Sequence, residues 1–335
     1  MAMFKPLGTR AHEKARKSAE KQKIKEEKRN KSRSNLAKKK KRRAIILVAV
    51  LLVLAVMTAF VIKDNHSVRV KKYTVVNEAI PSDFDGYRIL QISDLKGMTF
   101  GDSQQRLIEK INSLDFDMVL FTGDYTKDKD SLDSYVFVEL IESLTREVPV
   151  YFILGDGDCT EEDTLDPDNR CFMPSEDNGI AKAFRDAGAE MVYPIKRIEK
   201  GDSSIYLTGI KYYEQSFDKV DFDSDKVFSI CVTHAPINYN VNKRLESVNI
   251  LSLKEVDFDL AISGHTLGGT VRLPVLGAVY TKEGGLFPEE RYVYGMQELD
   301  GGRKSIISSG LGRDGVFPLR LFNTPEIVII ELRSS

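Results

Sequence analysis

Apolar positions are scarce through the first forty or so residues, then continuous over one long run, then arranged in short alternating blocks to the end of the chain. The continuous run, "AIILVAVLLVLAVMTAFVI", covers residues 44–62 and contains no charged residue. As a helix rising 1.5 Å per residue it is roughly 28 Å long, the thickness of a bilayer core. The basic block "KKKKRR" (Lys38–Arg43) abuts it, and nothing nearby would cover such a helix in a soluble core. The charged stretch before it is too long for a cleaved signal peptide, and no small-x-small site closes it convincingly. The pattern therefore predicts an uncleaved transmembrane anchor over 44–62.

Beyond Val68, strand-like runs alternate with helical patterns: "YRILQIS" (87–93), "DSQQRLIEKINSL" (102–114), "DMVLFTG" (117–123), "SYVFVELIESL" (134–144) and "VPVYFIL" (148–154). Such a rhythm implies parallel strands with crossover helices. Three later runs, "SSIYLTGI" (203–210), "VFSICVTH" (227–234) and "FDLAISGH" (258–265), are expected to continue the sheet. The last two, "KSIISSGL" and "EIVIIELR", have no helix between them and are expected to pair antiparallel. An α/β fold of two packed sheets flanked by helices is the economical architecture. The boundaries expected are a largely disordered basic tail (1–43), a transmembrane helix (44–62), a linker (63–72) and one globular domain (73–335).

Charge sharpens this division. Residues 1–43 hold 18 Lys/Arg against four Glu, a net +14, whereas the whole chain carries −1. A tail with so few apolar residues cannot bury enough surface to fold alone. The positive-inside rule places it in the cytoplasm and the domain on the far side of the cell membrane. The tail would meet lipid as well, by attraction to anionic headgroups, or it only sets orientation; both readings stay open. No nucleic-acid partner is expected, and no protein partner is legible. Four His and three Cys are too few for a His- or Cys-rich zinc module, and His12 and His66 are read as tail and linker residues.

Candidate chemistry gathers where strands end. Asp94, Asp124 in "FTGD", Asp156 in "ILGDGD", His234 in "CVTHAP" and His265 in "SGHTLGG" each follow an apolar run. Carboxyl ends of strands in α/β sheets converge on one crevice. Carboxylates and imidazoles assembled there suit Mn, Fe or Zn. One such aspartate alone would more simply cap a turn; five junctions in this order ask for more.

In that order, "ISDLKG", "FTGD", "ILGDGD", "THAP", "SGHTLGG" and the ending "PLRLFNTPEIVIIEL" resemble the calcineurin-like metallophosphoesterases, most of all their membrane-associated bacterial members. The resemblance covers roughly Val68 to the C-terminus. It implies a two-sheet core and a two-metal centre that hydrolyses phosphoesters. Three family positions are altered. Lys96 stands for the histidine of the first motif, Gly157 for the catalytic histidine, and Leu267 for the last metal-binding histidine. Mapped onto this chain, the first metal keeps only Asp94 and the bridging Asp124. The second keeps Asp124, Asp156, His234 and His265, with aspartate in the place of asparagine. One divalent ion is therefore expected and a second is not. No residue is assigned as catalytic.

Four pairs of readings stay open at this point. Lys96 either neutralises Asp94 and Asp124 where a metal would sit, or points to solvent. The protein is either a one-metal hydrolase of phosphodiester or pyrophosphate bonds, or a catalytically silent metal-binding or scaffold protein. Cys159 and Cys171 bracket "TEEDTLDPDNR" and outside the cytoplasm are expected to pair, with two free thiols as the alternative. The acidity of that loop would discourage polyanions, or it is merely solvated. Cys231, in an apolar strand, is read as a buried hydrophobe.

Overall fold

The computed structural model describes residues 7–126, 136–145, 147–159, 164–165, 171–173, 178–193, 195–209, 227–237, 258–281, 284–313 and 319–335. The acidic residues Glu161, Glu162, Asp163, Asp166 and Asp168 and the neighbouring Arg170 lie outside these. The chain divides into two compact units, Met1–Ala59 and Phe60–Ser335.

Helix α1 runs from Leu7 to His66. It contains the uncharged 44–62 run and is long and apolar enough to cross a membrane. Its extension back to Leu7 differs from the disordered tail expected. The reason is local: Ala, Lys, Arg, Glu and Gln dominate these residues, and all favour helix once a turn exists to extend. Pairs such as Glu13–Lys17, 3.2 Å apart, add support, but residues 12–43 bury nothing. The linker expected over 63–72 is also not seen as one. The helix continues to His66, and strand β1 begins at Arg69.

Among the described residues, the second unit holds twelve principal strands. In chain order they are β1 (Arg69–Asn77), β2 (Arg88–Ile92), β3 (Met118–Thr122), β4 (Val150–Ile153), β5 (Glu190–Met191), β6 (Ile195–Lys200), β7 (Ser203–Gly209), β8 (Ser229–Val232), β9 (Leu260–Ser263), β10 (Gly295–Glu298), β11 (Lys304–Ile307) and β12 (Glu326–Ser334). They form two six-stranded sheets, ordered β1-β12-β2-β3-β4-β5 and β10-β11-β9-β8-β7-β6. The runs expected to continue the first sheet build the second instead. The β2-β3-β4 core is parallel as expected. The two terminal runs do not pair with each other: β11 pairs parallel with β9 and antiparallel with β10, while β12 lies parallel to β1 and antiparallel to β2.

Alternation along each strand explains the layers. Ile89, Met118, Leu120, Val328 and Ile330 of the first sheet pack with Ile205, Leu207, Ile230 and Ile262 of the second. The intervening Leu90, Ile92, Val119, Phe121 and Ile329 face outward, onto helices α2 (Gln105–Asn112), α3 (Val138–Thr145) and α4 (Gly179–Asp186). With period-two side chains and both faces covered, the strands read as unbroken apolar runs. Gln91 breaks one of these runs because it ties the layers near the strand ends: its buried amide donates to Thr122 Oγ1 at 3.1 Å and to the Ser263 carbonyl at 2.8 Å.

Candidate metal centre

Five strands deliver the candidate residues: β2 to Asp94, β3 to Asp124, β4 to Asp156, β8 to His234 and β9 to His265. The loops after β2 and β3 are joined by backbone bonds from Asp94 to Gly123, Lys96 to Asp124 and Gly97 to Tyr125, each 2.9 Å. Asp94, Lys96, Asp124, His265 and Leu267 all have positive φ, an uncommon conformation for residues with side chains. Strain of this kind collects at functional sites. Close approach also matters: a Cβ at Gly264 would collide with Ser93 and Asp94.

Asp124 is the hub. Its Oδ1 accepts the Gly157 N–H at 2.8 Å. Its Oδ2 accepts the Lys96 ammonium and lies 3.3 Å from His234 Nε2. Burial alone would raise this carboxyl, but His234 and Lys96 hold it well below the usual range. Burial also opposes charge on Lys96, whose side chain is 25% exposed, yet Asp124 and then Asp94 outweigh it and raise the ammonium's pKa. Of the two readings of Lys96, the structure takes the one in which it faces the carboxylates.

His234 is oriented from behind, with Nδ1 2.8 Å from the Thr122 carbonyl. Its Nε2 is buried and, although close to Asp124, is not aligned for a hydrogen bond. Burial disfavours the imidazolium, but Asp124 outweighs it and lifts His234 to about 10. The His265 ring lies edge-on to that of His234, centroids 4.9 Å apart. One ligand atom each from Asp124, His234 and His265 falls within 4.8 Å of the others. Asp156 stands beside them, its Oδ2 3.6 Å from His265 Nδ1. A carboxylate and two imidazoles, one with a backbone-held Nδ1 and an unbonded Nε2, fit a transition-metal ion.

The first family site is not assembled in this way. Asp94 lies fully buried, its Oδ2 accepting from Ser93 Oγ at 2.6 Å and from the His265 backbone at 2.9 Å. Leu267 is buried and offers no ligand atom. Asp158, next to Gly157, is spent on the backbone: its carboxylate accepts from Asp124 N (2.7 Å), Tyr125 N (2.9 Å) and Gly155 N (2.9 Å). Burial, then repulsion from Asp124, pushes its pKa up to about 7.

Residues the sequence reading missed complete the support. After β11, Gly310 and Gly312 pack against Asp94, and Gly312 N donates to the Asp94 carbonyl. Arg320, fully buried, donates to the Gly312 and Ser309 carbonyls, each at 2.7 Å. Burial lowers its pKa to about 10, so it stays charged at neutral pH. The small-residue run "SSGLG" directly after an apolar strand was the available signal.

The sequence model of the calcineurin-like phosphoesterases matches residues 87–269, which include all five strand-end residues. The chain belongs to that family. An uncharacterised metallophosphoesterase of Bacillus subtilis, YkuE, is 26% identical over 289 residues, covering 81% of this chain and 87% of that protein. A zebrafish (Danio rerio) transmembrane protein with a metallophosphoesterase domain is 25% identical over 293 residues, covering 85% of this chain and 62% of the relative. Among solved structures, a purple acid phosphatase from yellow lupin (Lupinus luteus) aligns at 12% identity and TM-score 0.32, over 73% of this chain and 54% of that one. The family works with divalent metals, and Asp124, His234 and His265 are where this member would hold one.

Proposed function

We propose that this protein is a membrane-anchored phosphoester hydrolase that works with one divalent ion. Asp124, Asp156, His234 and His265 would hold Mn, Fe or Zn. When bound, the ion would supply Lewis-acid polarisation of a phosphoryl oxygen and an acidified water. The observation that carries the reading is the Lys96 ammonium on Asp124 Oδ2. It brings a fixed positive charge where the family resemblance would put a second metal, so Asp94 and Asp124 need no further cation. The other residues keep the arrangement rigid: Gly157 N–H fixes Asp124 Oδ1, and Thr122 fixes the His234 ring. The substrate class is a phosphodiester or pyrophosphate. Residues 44–62 anchor the chain in the cell membrane, the basic tail lies on the cytoplasmic side, and the phosphoesterase domain lies outside.

A second reading, a silent metal-binding protein, has its own observation. Gly157 has no side chain, and the carboxylate of Asp158 is used up on backbone amides, so neither residue of this turn offers a general acid. General acid–base assistance is typically worth ~10²–10⁴-fold. Purified full-length protein assayed on bis-p-nitrophenyl phosphate and pyrophosphate, beside Asp124→Ala, separates the two. Metal-dependent turnover lost in Asp124→Ala supports the hydrolase. A tightly held ion with no turnover on either substrate supports the silent protein.

A further inference from the structure

We propose that a lobe of the phosphoesterase domain tipped by Val275, Leu276, Leu286, Phe287 and Leu319 is seated in the bilayer surface. The proposal rests on the membrane anchor of the preceding reading.

The five side chains are exposed, Val275 completely (105%), Leu286 at 72% and Phe287 at 60%. They belong to segments that are bonded together. Strands Arg272–Leu273 and Gly277–Ala278 form a hairpin with Val275 and Leu276 in its turn. Tyr280–Thr281 pairs with Gly285–Leu286, and Phe287 N donates to the Val279 carbonyl. Val271 bridges to Leu321, and Arg272 N donates to the Leu321 carbonyl, which brings in the segment from Leu319. Single exposed apolar residues need no explanation, but a cluster on one lobe does.

Backbone strain is a separate observation. Val275 has φ 72°, Phe287 φ 51° and Phe322 φ 53°. Glycine or asparagine would serve such turns at lower cost, and a β-branched residue there is a genuine outlier. A turn that only had to close would not carry valine in full exposure.

Chain continuity identifies the bilayer as the occupant. The apolar run ends at Ile62. Within one turn on either side, Phe60 packs its ring against Phe322, centroids 4.8 Å apart. Asn65 exchanges two bonds with the Arg320 backbone, Nδ2 to the carbonyl at 3.0 Å and Oδ1 from the N–H at 3.1 Å. The segment that carries the lobe is thus fastened to the helix where the helix leaves the hydrocarbon. Aliphatic and aromatic tips on a lobe tied to the end of the apolar run are the side chains that favour the acyl boundary.

The test uses the full-length chain in phosphatidylethanolamine–phosphatidylglycerol vesicles, with an environment-sensitive nitrobenzoxadiazole label on Val275→Cys, Leu286→Cys or, as control, Glu199→Cys. Cys159 is disulfide-bonded and Cys231 is buried, and the wild-type chain treated alike corrects for any label at a native thiol. Labels at 275 and 286 should emit to the blue of the control and lose most of their emission when nitroxide-bearing lipids are included. If the protein floats with the vesicles but both labels behave like the control, the lobe proposal falls and the anchor stands. If the protein does not float, the anchor reading fails and takes the lobe with it. A blue shift that grows with protein density and ignores nitroxide lipid means a second copy covers the lobe, and the proposal is overturned.

Discussion

Lys96 and His234 converge on the same oxygen of Asp124: the ammonium donates to Oδ2, and the imidazole Nε2 lies 3.3 Å from it. In a two-metal centre one carboxylate bridges two ions. Here one side of the bridge faces a cation that belongs to the protein. The domain should therefore bind about one metal per chain, even in excess metal, because among the described residues an N/O ligand set of three or four is found on one side only. Elemental analysis after gel filtration reads this directly. Lys96→Ala should keep the ion, while His234→Ala or His265→Ala should lose it; two tightly held metals in the wild type would contradict the counterion role.

Restoring a second site needs several residues at once. Lys96→His with Leu267→His returns the missing ligands, and Gly157→His returns an imidazole beside Asp124. A Cβ at Gly157 would lie 3.2 Å from Asp124 Oδ1, so that substitution asks for a small adjustment. The triple variant should exceed every single one in phosphodiester hydrolysis, since residues that act as a unit are not additive. Equal rates in single and triple variants would count against the ligand mapping.

Asp158 has a structural task rather than a chemical one. Asp158→Ala strands three backbone N–H groups, and buried unsatisfied donors make a loss of about 2–4 kcal/mol the expected result. Urea unfolding of wild type and variant measures it. Asp158→Asn, which keeps one acceptor oxygen, should lose less. An Asp158→Ala midpoint unchanged from wild type would remove the clamp.

Cys159 is disulfide-bonded, and Cys231 is free and buried. Cys171, the partner expected from the sequence, opens a strand, Cys171–Met173, that pairs antiparallel with Thr164–Leu165; its side chain is outside the described residues. Peptide mapping without reduction should recover a Cys159–Cys171 linked pair. Closing so short a loop is worth ~3 kcal/mol in the chain-entropy model. Free alkylation of both thiols in native protein would rule the bond out.

Protease added to intact spheroplasts should digest the phosphoesterase domain and spare the basic tail, as the positive-inside rule requires. A domain protected until the membrane is broken would reverse the topology.

How far the sequence revealed all this depends on the range of each interaction. Asp94, Asp124, Asp156, His234 and His265 were legible because strand-end chemistry is local: an apolar run, a turn, then a polar residue. Which sheet the later strands join was not, since β7, β8 and β9 pack their apolar faces against β2 and β3 through contacts distant in sequence. Nothing local in "ILGDGD" separates the task of Asp158 from that of Asp156; only the fold shows three amide donors around Asp158. Arg320 meets Asn65 across 255 residues, and no pattern in either segment announces the other. The tail's helix rests on intrinsic propensity, which a pattern of buried and exposed positions does not display.

Phe60 and Asn65 bear on what cleavage near the end of the apolar run would do to the domain. A protease cutting just after Asn65 would strip Phe322 of its ring partner and, by removing Asn65, leave the buried Arg320 N–H and carbonyl without the bonds they make now. The shed fragment would start life with a torn edge beside the segment that supports Asp94. A stable diffusible form has to carry its last helical turns with it, apolar Phe60 included, and so would keep some of its affinity for the surface it came from.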